Sequence, residues 1–416
     1  MPLLPTARSI GHLSSPVQRF PRSAAGAVKH PSHICRSRAS DRQAPTQTLQ
    51  CPALGKEGRS SLGAKRKLLG IQYLRAIAAL MVVYYHLVGQ IPGLAPHFRF
   101  DTIIDSAHLW SGVCVFFVIS GFVMYVTGRN LSASEFVWRR TARIVPLYWS
   151  VTLAVCALAL LDPHLLHRTE LTTYALVKSL LFVPYANPGQ GGQLFPILVP
   201  GWTLNYEMAF YALFAVALLA PARWRAWLIV AAIAASAVLG LLYPGERMYS
   251  IWGFYTSALV LLFAAGVLMG AAYIHIRERK VDLHVPKWVW VAVMLLGFWM
   301  ILADLPHFAV WQLAGSIAVV GAAVAWEHQF GLPRSRVLLL LGDASYSIYL
   351  VHLFAFGLIR VEWTHLHGEN ALVFAILAVG SAIALALVTY QLIERPSLAL
   401  LTRVASGRGE RQLASA

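Results

Sequence analysis

The chain has 416 residues, of which 58% are hydrophobic and only 12% charged, against roughly 25% charged in an ordinary soluble domain. That composition excludes a typical water-soluble globular protein and marks an integral membrane protein. The formal charge of +16 is not a nucleic-acid signature, because most of it sits in residues 1–67, where twelve Lys and Arg face only Asp41 and Glu57.

Residues 1–67 are rich in Ser, Pro, Ala and Arg and lack apolar periodicity, so they cannot bury enough surface to offset ordering entropy. They are predicted to form a disordered, solvated basic tail. No apolar core followed by a small-residue cleavage site marks a secretory signal peptide. The Arg-rich, acid-poor composition is that of a transit peptide or of a stretch read from an upstream start codon, and a dispensable extension is the favoured reading. Cys35 and Cys51 fall in this tail, Cys114 and Cys156 in apolar segments. No spacing among them suggests a metal site or a disulfide framework.

Apolar runs long enough to span a bilayer occur near residues 69–91, 109–127, 145–161, 202–220, 226–243, 253–274, 287–304, 308–326, 339–359 and 371–392. The predicted fold is therefore an all-α integral membrane protein of about ten transmembrane helices. The shorter run 172–184 contains Lys178 and is read as interfacial or re-entrant. With loops alternating on that basis, one side of the membrane collects twenty-eight Lys and Arg and the other five; without the tail the ratio is still sixteen to five. The positive-inside rule then places both termini in the cytoplasm. The domain plan is a tail over 1–67, a membrane domain over 68–396 and a short cytoplasmic tail over 397–416.

Five constellations could carry chemistry. In the first span Arg75 and His86 are eleven residues apart, so they share a helix face about 16 Å apart along the axis. Ionisable groups inside a span are costly and usually functional. Arg75 either snorkels to headgroups or holds an anionic cofactor group through its planar fork. His86 either bonds a neighbouring helix or acts as a general base. In the second span, Phe116-Phe-Val-Ile-Ser120-Gly121-Phe122 offers small residues that let helices approach closely.

Arg139, Arg140 and Arg143 stand in the loop predicted to lead into the third span. They either record orientation and headgroup contact or bind phosphate, since Arg140 and Arg143 face the same way on a helix. Trp202-Thr203-Leu-Asn-Tyr-Glu207 opens the fourth span, with Thr203, Glu207 and Tyr211 in one polar stripe. Glu207 either reaches interfacial water or pairs inside the membrane, with His86 as the candidate partner. In the ninth span, Ser345, Tyr349 and His352 share a face. They serve either as packing glue or, in the case of His352, as part of an acceptor pocket.

Taken together, these residues resemble the membrane-bound acyltransferase 3 family, bacterial enzymes that O-acylate surface and exported polysaccharides. The matching motifs are Arg-(ten residues)-His in the first span, Phe-Phe-Val-Ile-Ser-Gly-Phe in the second, Arg-x-x-Arg before the third, Trp-Thr-Leu-x-x-Glu in the fourth and Ser-Tyr-Ser-Ile-Tyr-Leu-Val-His in the ninth. Each is weak alone; five in order over residues 69 to about 396 are specific. Thr203 stands where many relatives carry Ser, which keeps the hydroxyl. The chain runs only about 24 residues past its last predicted span, so the expectation is a member without the extracytoplasmic hydrolase-like domain, as in exopolysaccharide O-acetyltransferases of soil bacteria.

The resemblance implies His86 as catalytic base with Glu207 as its catalytic partner, and Arg75, Arg140 and Arg143 as binders of the acyl donor. Trp202, Ser345, Tyr349 and His352 are candidates for the substrate pocket. The implied partners are acyl-CoA, most often acetyl-CoA, as co-substrate, a polysaccharide or lipid-linked glycan acceptor, and membrane lipids. No metal, no tightly bound cofactor and no nucleic acid are implied, and the location is the bacterial inner membrane. The competing class is a transporter with His86, Glu207 and His352 as proton relay, but the chain shows neither internal repeats nor paired broken helices. A non-catalytic scaffold gives no reason for Arg, His and Glu inside spans.

Overall fold

A computed structural model describes residues 68–90, 106–161, 171–282, 284–303, 308–365 and 370–400. The predicted tail over 1–67 and the last residues of the chain, 401–416, lie outside the described residues. All described regular structure is helical, with no strand. In chain order the helices are α1 (Leu69–Gln90), α2 (Gly112–Gly128), α3 (Ala133–Leu161), α4 (Thr173–Leu180) and α5 (Trp202–Ala217). They continue with α6 (Ala222–Leu242), α7 (Ile251–Tyr255), α8 (Val260–Glu278), α9 (Lys287–Leu302) and α10 (Phe308–Phe330). The last three are α11 (Arg336–Asp343), α12 (Ser345–His365) and α13 (Ala371–Thr389), which runs on through a π-helical turn, Tyr390–Glu394.

Each of the ten predicted segments is helical, yet they are not ten uniform spans. Seven helical stretches among the described residues are long and apolar enough to cross a membrane, and α11 with α12, bent by 71°, makes an eighth. The remaining two, α5 and α9, have 16 residues each, short of the roughly 20 that a bilayer core requires. The 172–184 run becomes α4, eight residues capped by Thr172, whose Oγ1 accepts the Ala175 N–H at 3.0 Å. Eight residues extend only about 12 Å, so this element does not span.

The Arg cluster is on a helix and not in a loop. α3 begins at Ala133 and carries Arg139, Arg140 and Arg143 before Pro146, which lies inside the helix. The helix starts early because Ser132 accepts the Glu135 N–H at 3.2 Å, half of a capping box visible as Ser-x-x-Glu. Pro146 is tolerated within a span, as prolines commonly are in membrane helices.

With lipid outside, apolar burial gives little drive for helix association, so close packing of small residues and polar ties must hold the bundle. At the α2–α8 crossing, a Cβ on Gly121 would meet the Phe263 carbonyl and lie 3.1 Å from the Gly266 Cα. The ring stacks Phe117–Phe263 at 4.5 Å, Phe210–Phe263 at 4.6 Å and Phe136–Phe214 at 4.6 Å join α2, α8, α5 and α3. α1 is held by the second half of the chain. Glu327 on α10 accepts the Leu69 and Gly70 N–H groups at 2.8 and 2.7 Å, and Gly342 on α11 lies so near Gln72 that a Cβ would strike its carbonyl.

Candidate active site

One cavity of ≈ 220 Å³ opens among α1, α2, α3, α5 and α12. α1 presents Gln72 and Arg75 to it, one turn apart; α2 presents Ser120 and α3 presents Arg140 and Arg143. α5 supplies its polar stripe Thr203, Glu207 and Tyr211, and α12 supplies Ser345, Tyr346 and Tyr349. Three guanidinium groups against one carboxylate give the walls a positive excess. That balance suits an anionic ligand, and arginine in particular suits phosphate.

The polar side chains are held by specific bonds. Glu207 Oε1 accepts from Ser120 Oγ at 2.9 Å and from Tyr211 OH at 2.6 Å. Arg140 donates through Nη2 to Thr127 at 2.9 Å and lies 5.5 Å from the Phe136 ring centroid, while Arg139 points elsewhere to Glu135. Tyr349 OH and Thr203 Oγ1 are 3.0 Å apart, and Tyr349 also donates to the Pro200 carbonyl at 3.2 Å. Three polar atoms of the wall residues, Gln72 Oε1, Arg140 Nε and Ser345 Oγ, are buried with no protein partner. Buried polar atoms are normally satisfied, so these three add hydrogen-bonding capacity that a polar ligand can use.

The histidines stand beside this cavity and not on its wall. His86 Nδ1 is 3.0 Å from the Val82 carbonyl and 3.1 Å from His352 Nε2. His352 is fully buried and is not among the residues that line this cavity. Its ring is 6.1 Å from that of Tyr349, which does face the cavity. The expected pairing of His86 with Glu207 is corrected: Glu207 is bound to Ser120 and Tyr211, and the neighbour of His86 is His352. Helix register between α1 and α12 brings the two imidazoles together, and nothing in either segment alone reveals it.

Trp202, another candidate for the substrate pocket, has a cation beside its ring. It sits outside the cavity with its ring 5.4 Å from the Arg247 guanidinium, which lies 5.9 Å from Trp110 as well. Gln72, Tyr346 and Tyr211 are wall residues that sequence reading did not select as site residues. Gln72 was detectable, being three residues before Arg75 and hence on its face. Cys114 and Cys156 are buried free thiols. Among the described residues no group of three or more His, Cys, Asp or Glu side chains is placed to hold a metal ion.

Comparison with known proteins bears on what such a cavity serves. The profile of the acyltransferase 3 family, described as an acyltransferase domain, matches residues 68–391. The exopolysaccharide production protein ExoZ of Rhizobium meliloti (strain 1021) is 35% identical over 294 residues, covering 69% of this chain and 89% of its own. Nodulation protein 10 of Rhizobium leguminosarum bv. viciae is 29% identical over 360 residues, covering 80% and 94%. The acyltransferase MdmB of Streptomyces mycarofaciens is 27% identical over 373 residues, covering 79% and 91%. No solved structure matches. The transporter and scaffold readings end here, for the match takes in every helix that builds the cavity: the chain belongs to the acyltransferase 3 family, as a multi-pass membrane enzyme that transfers acyl groups.

Proposed function

We propose that this enzyme moves an acyl group, acetyl in the first instance, from acyl-CoA to a hydroxyl of an extracytoplasmic or lipid-linked polysaccharide, with His86 as general base. The observation that carries the reading is the convergence of Arg75, Arg140 and Arg143 on one cavity, with His86 on the same helix as Arg75 and about 16 Å further along it. Coenzyme A is a chain of phosphates joined to an extended arm that ends in the reactive sulfur. Three arginines at one end of a path and an imidazole at the other match that layout.

In this reading the termini are cytoplasmic, as the Lys and Arg asymmetry suggests, and the chain resides in the bacterial inner membrane. Acyl-CoA enters from the arginine side. Tyr349, tied to Thr203 and Pro200, lies on the cavity wall with its ring 6.1 Å from that of His352 and in this reading yields to the pantetheine arm. His86 removes the proton of the acceptor hydroxyl as that oxygen attacks the thioester carbonyl. A C–O ester bond forms, the C–S bond breaks, and the proton passes from His86 to the CoA thiolate. No resident cofactor or metal takes part. The printed name of the relative ExoZ, an exopolysaccharide production protein, supports an exported polysaccharide as acceptor class.

The test uses inverted inner-membrane vesicles bearing wild-type or His86→Ala protein and labelled acetyl-CoA. Label should reach glycan as a base-labile ester with the wild type, and transfer should fall by at least about 100-fold in the variant. Wild-type rates from His86→Ala would remove the general-base role. Absence of transfer by both, with glycan present, would remove acetyl-CoA as donor.

A further inference from the structure

The paired histidines offer an assignment at the level of single protons. We propose that His352 is a positioning residue that locks the tautomer of His86, so that Nε2 of His86 is the basic nitrogen. This rests on the general-base reading above and specifies how that base is prepared.

The chain of reasoning starts at a backbone carbonyl. His352 Nδ1 lies 3.2 Å from the Ile348 carbonyl oxygen, and a carbonyl can only accept, so Nδ1 carries hydrogen. A neutral imidazole has one donor and one acceptor nitrogen, which leaves a lone pair on His352 Nε2. That lone pair faces His86 Nδ1 at 3.1 Å, so His86 Nδ1 must carry hydrogen. The Val82 carbonyl, 3.0 Å from the same nitrogen, makes the same demand independently.

The reverse arrangement fails on two counts. A lone pair on His86 Nδ1 would point at the Val82 carbonyl oxygen, and His352 would have to be a cation at a position with 0% exposure and no acidic partner, at high desolvation cost. Both contacts of His86 Nδ1 therefore leave Nε2 unprotonated and available. The His352 ring is itself held, edge to face with Phe356 at 5.8 Å.

The arrangement also serves the reaction. When His86 Nε2 takes the hydroxyl proton, the resulting imidazolium keeps its Nδ1–H aimed at His352 Nε2 and the Val82 carbonyl, now as charge-assisted hydrogen bonds. No proton moves to His352, and Nε2 of His86 returns its proton to the CoA thiolate. His352 thus orients His86 and accepts from it throughout, without touching substrate.

Three substitutions in the full-length protein separate this role from packing, using the vesicle assay with acetyl-CoA varied to resolve maximal rate from KM. His352→Phe fills the space without an acceptor and should lower the maximal rate about 100-fold or more, with KM for acetyl-CoA within about twofold of wild type. His352→Asn keeps a donor for Ile348 but is too short to reach His86, so it should be as impaired. His352→Gln places an amide oxygen near the former Nε2 and should recover activity to within about tenfold of wild type. Equal loss in Gln and Asn variants, or a near-wild-type maximal rate in the Phe variant, would overturn the assignment. If His352→Phe is poorly folded, the Gln and Asn pair decides. A dead His86→Ala beside a fully active His352→Asn would sink only the role of His352, whereas an active His86→Ala would sink the general base itself.

Discussion

At Glu207 both hydrogen bonds fall on the same oxygen: Ser120 and Tyr211 donate to Oε1. Oε2 is left for whatever enters the cavity. Glu207→Gln can keep the amide oxygen in the Oε1 position and retain both bonds while losing the charge. If Glu207 is catalytic, as the family resemblance implies, the expected outcome is a thermal midpoint in detergent within a few degrees of wild type but a transfer rate at least about 100-fold lower. Glu207→Gln with wild-type transfer would reduce this carboxylate to a structural acceptor. Ser120 and Tyr211 are then its supports, and their substitution should act mainly by misplacing Oε1.

Among elements, the α2–α8 crossing positions Ser120, because Gly121 beside it is pressed against α8. Gly121→Leu should force the helices apart, at a cost of about 1–3 kcal/mol for overpacking, and lower both the thermal midpoint and transfer. Intact stability in that variant would show that the crossing has slack. The helices themselves were legible as apolar runs, since 3.6-residue periodicity and length are properties of one segment. The early start of α3 was legible too, through Ser132 and Glu135, but the apolar window hid it behind the arginines. What could not be read was the break at Ala344, where α11 and α12 bend by 71°. No proline marks it; Gly342 packed on Gln72, and Tyr346 donating to the Ile144 carbonyl at 2.9 Å, are long-range causes. The polar faces of α1, α5 and α12 were readable one by one, whereas the partner of His86 depends on the register of two helices whose paired residues are 266 positions apart.

For the molecule as a whole, two 16-residue helices and a broken one mean that hydropathy alone does not settle the path through the bilayer. Ten crossings put residue 400 on the same side as the start of α1. Reporter fusions after residue 221 and after residue 400 should both report the cytoplasmic face. A periplasmic signal at residue 400 would mean an odd number of crossings and would reverse the second half of the Lys and Arg argument.

The cap on α1 also sets a timetable. The N–H groups of Leu69 and Gly70 wait for a carboxylate more than 250 residues downstream, and His86 waits for His352. During synthesis at about 5–20 residues per second, the helix bearing Arg75 and His86 enters the membrane first and spends at least ten seconds without the neighbours that complete it. Its polar face must be sheltered in that interval by the insertion machinery or by transient contact with α2. A chain that stops before α12 therefore carries the three arginines and Glu207 but lacks the last wall of the cavity and the neighbour of His86, so the proposed site closes only when synthesis is nearly over.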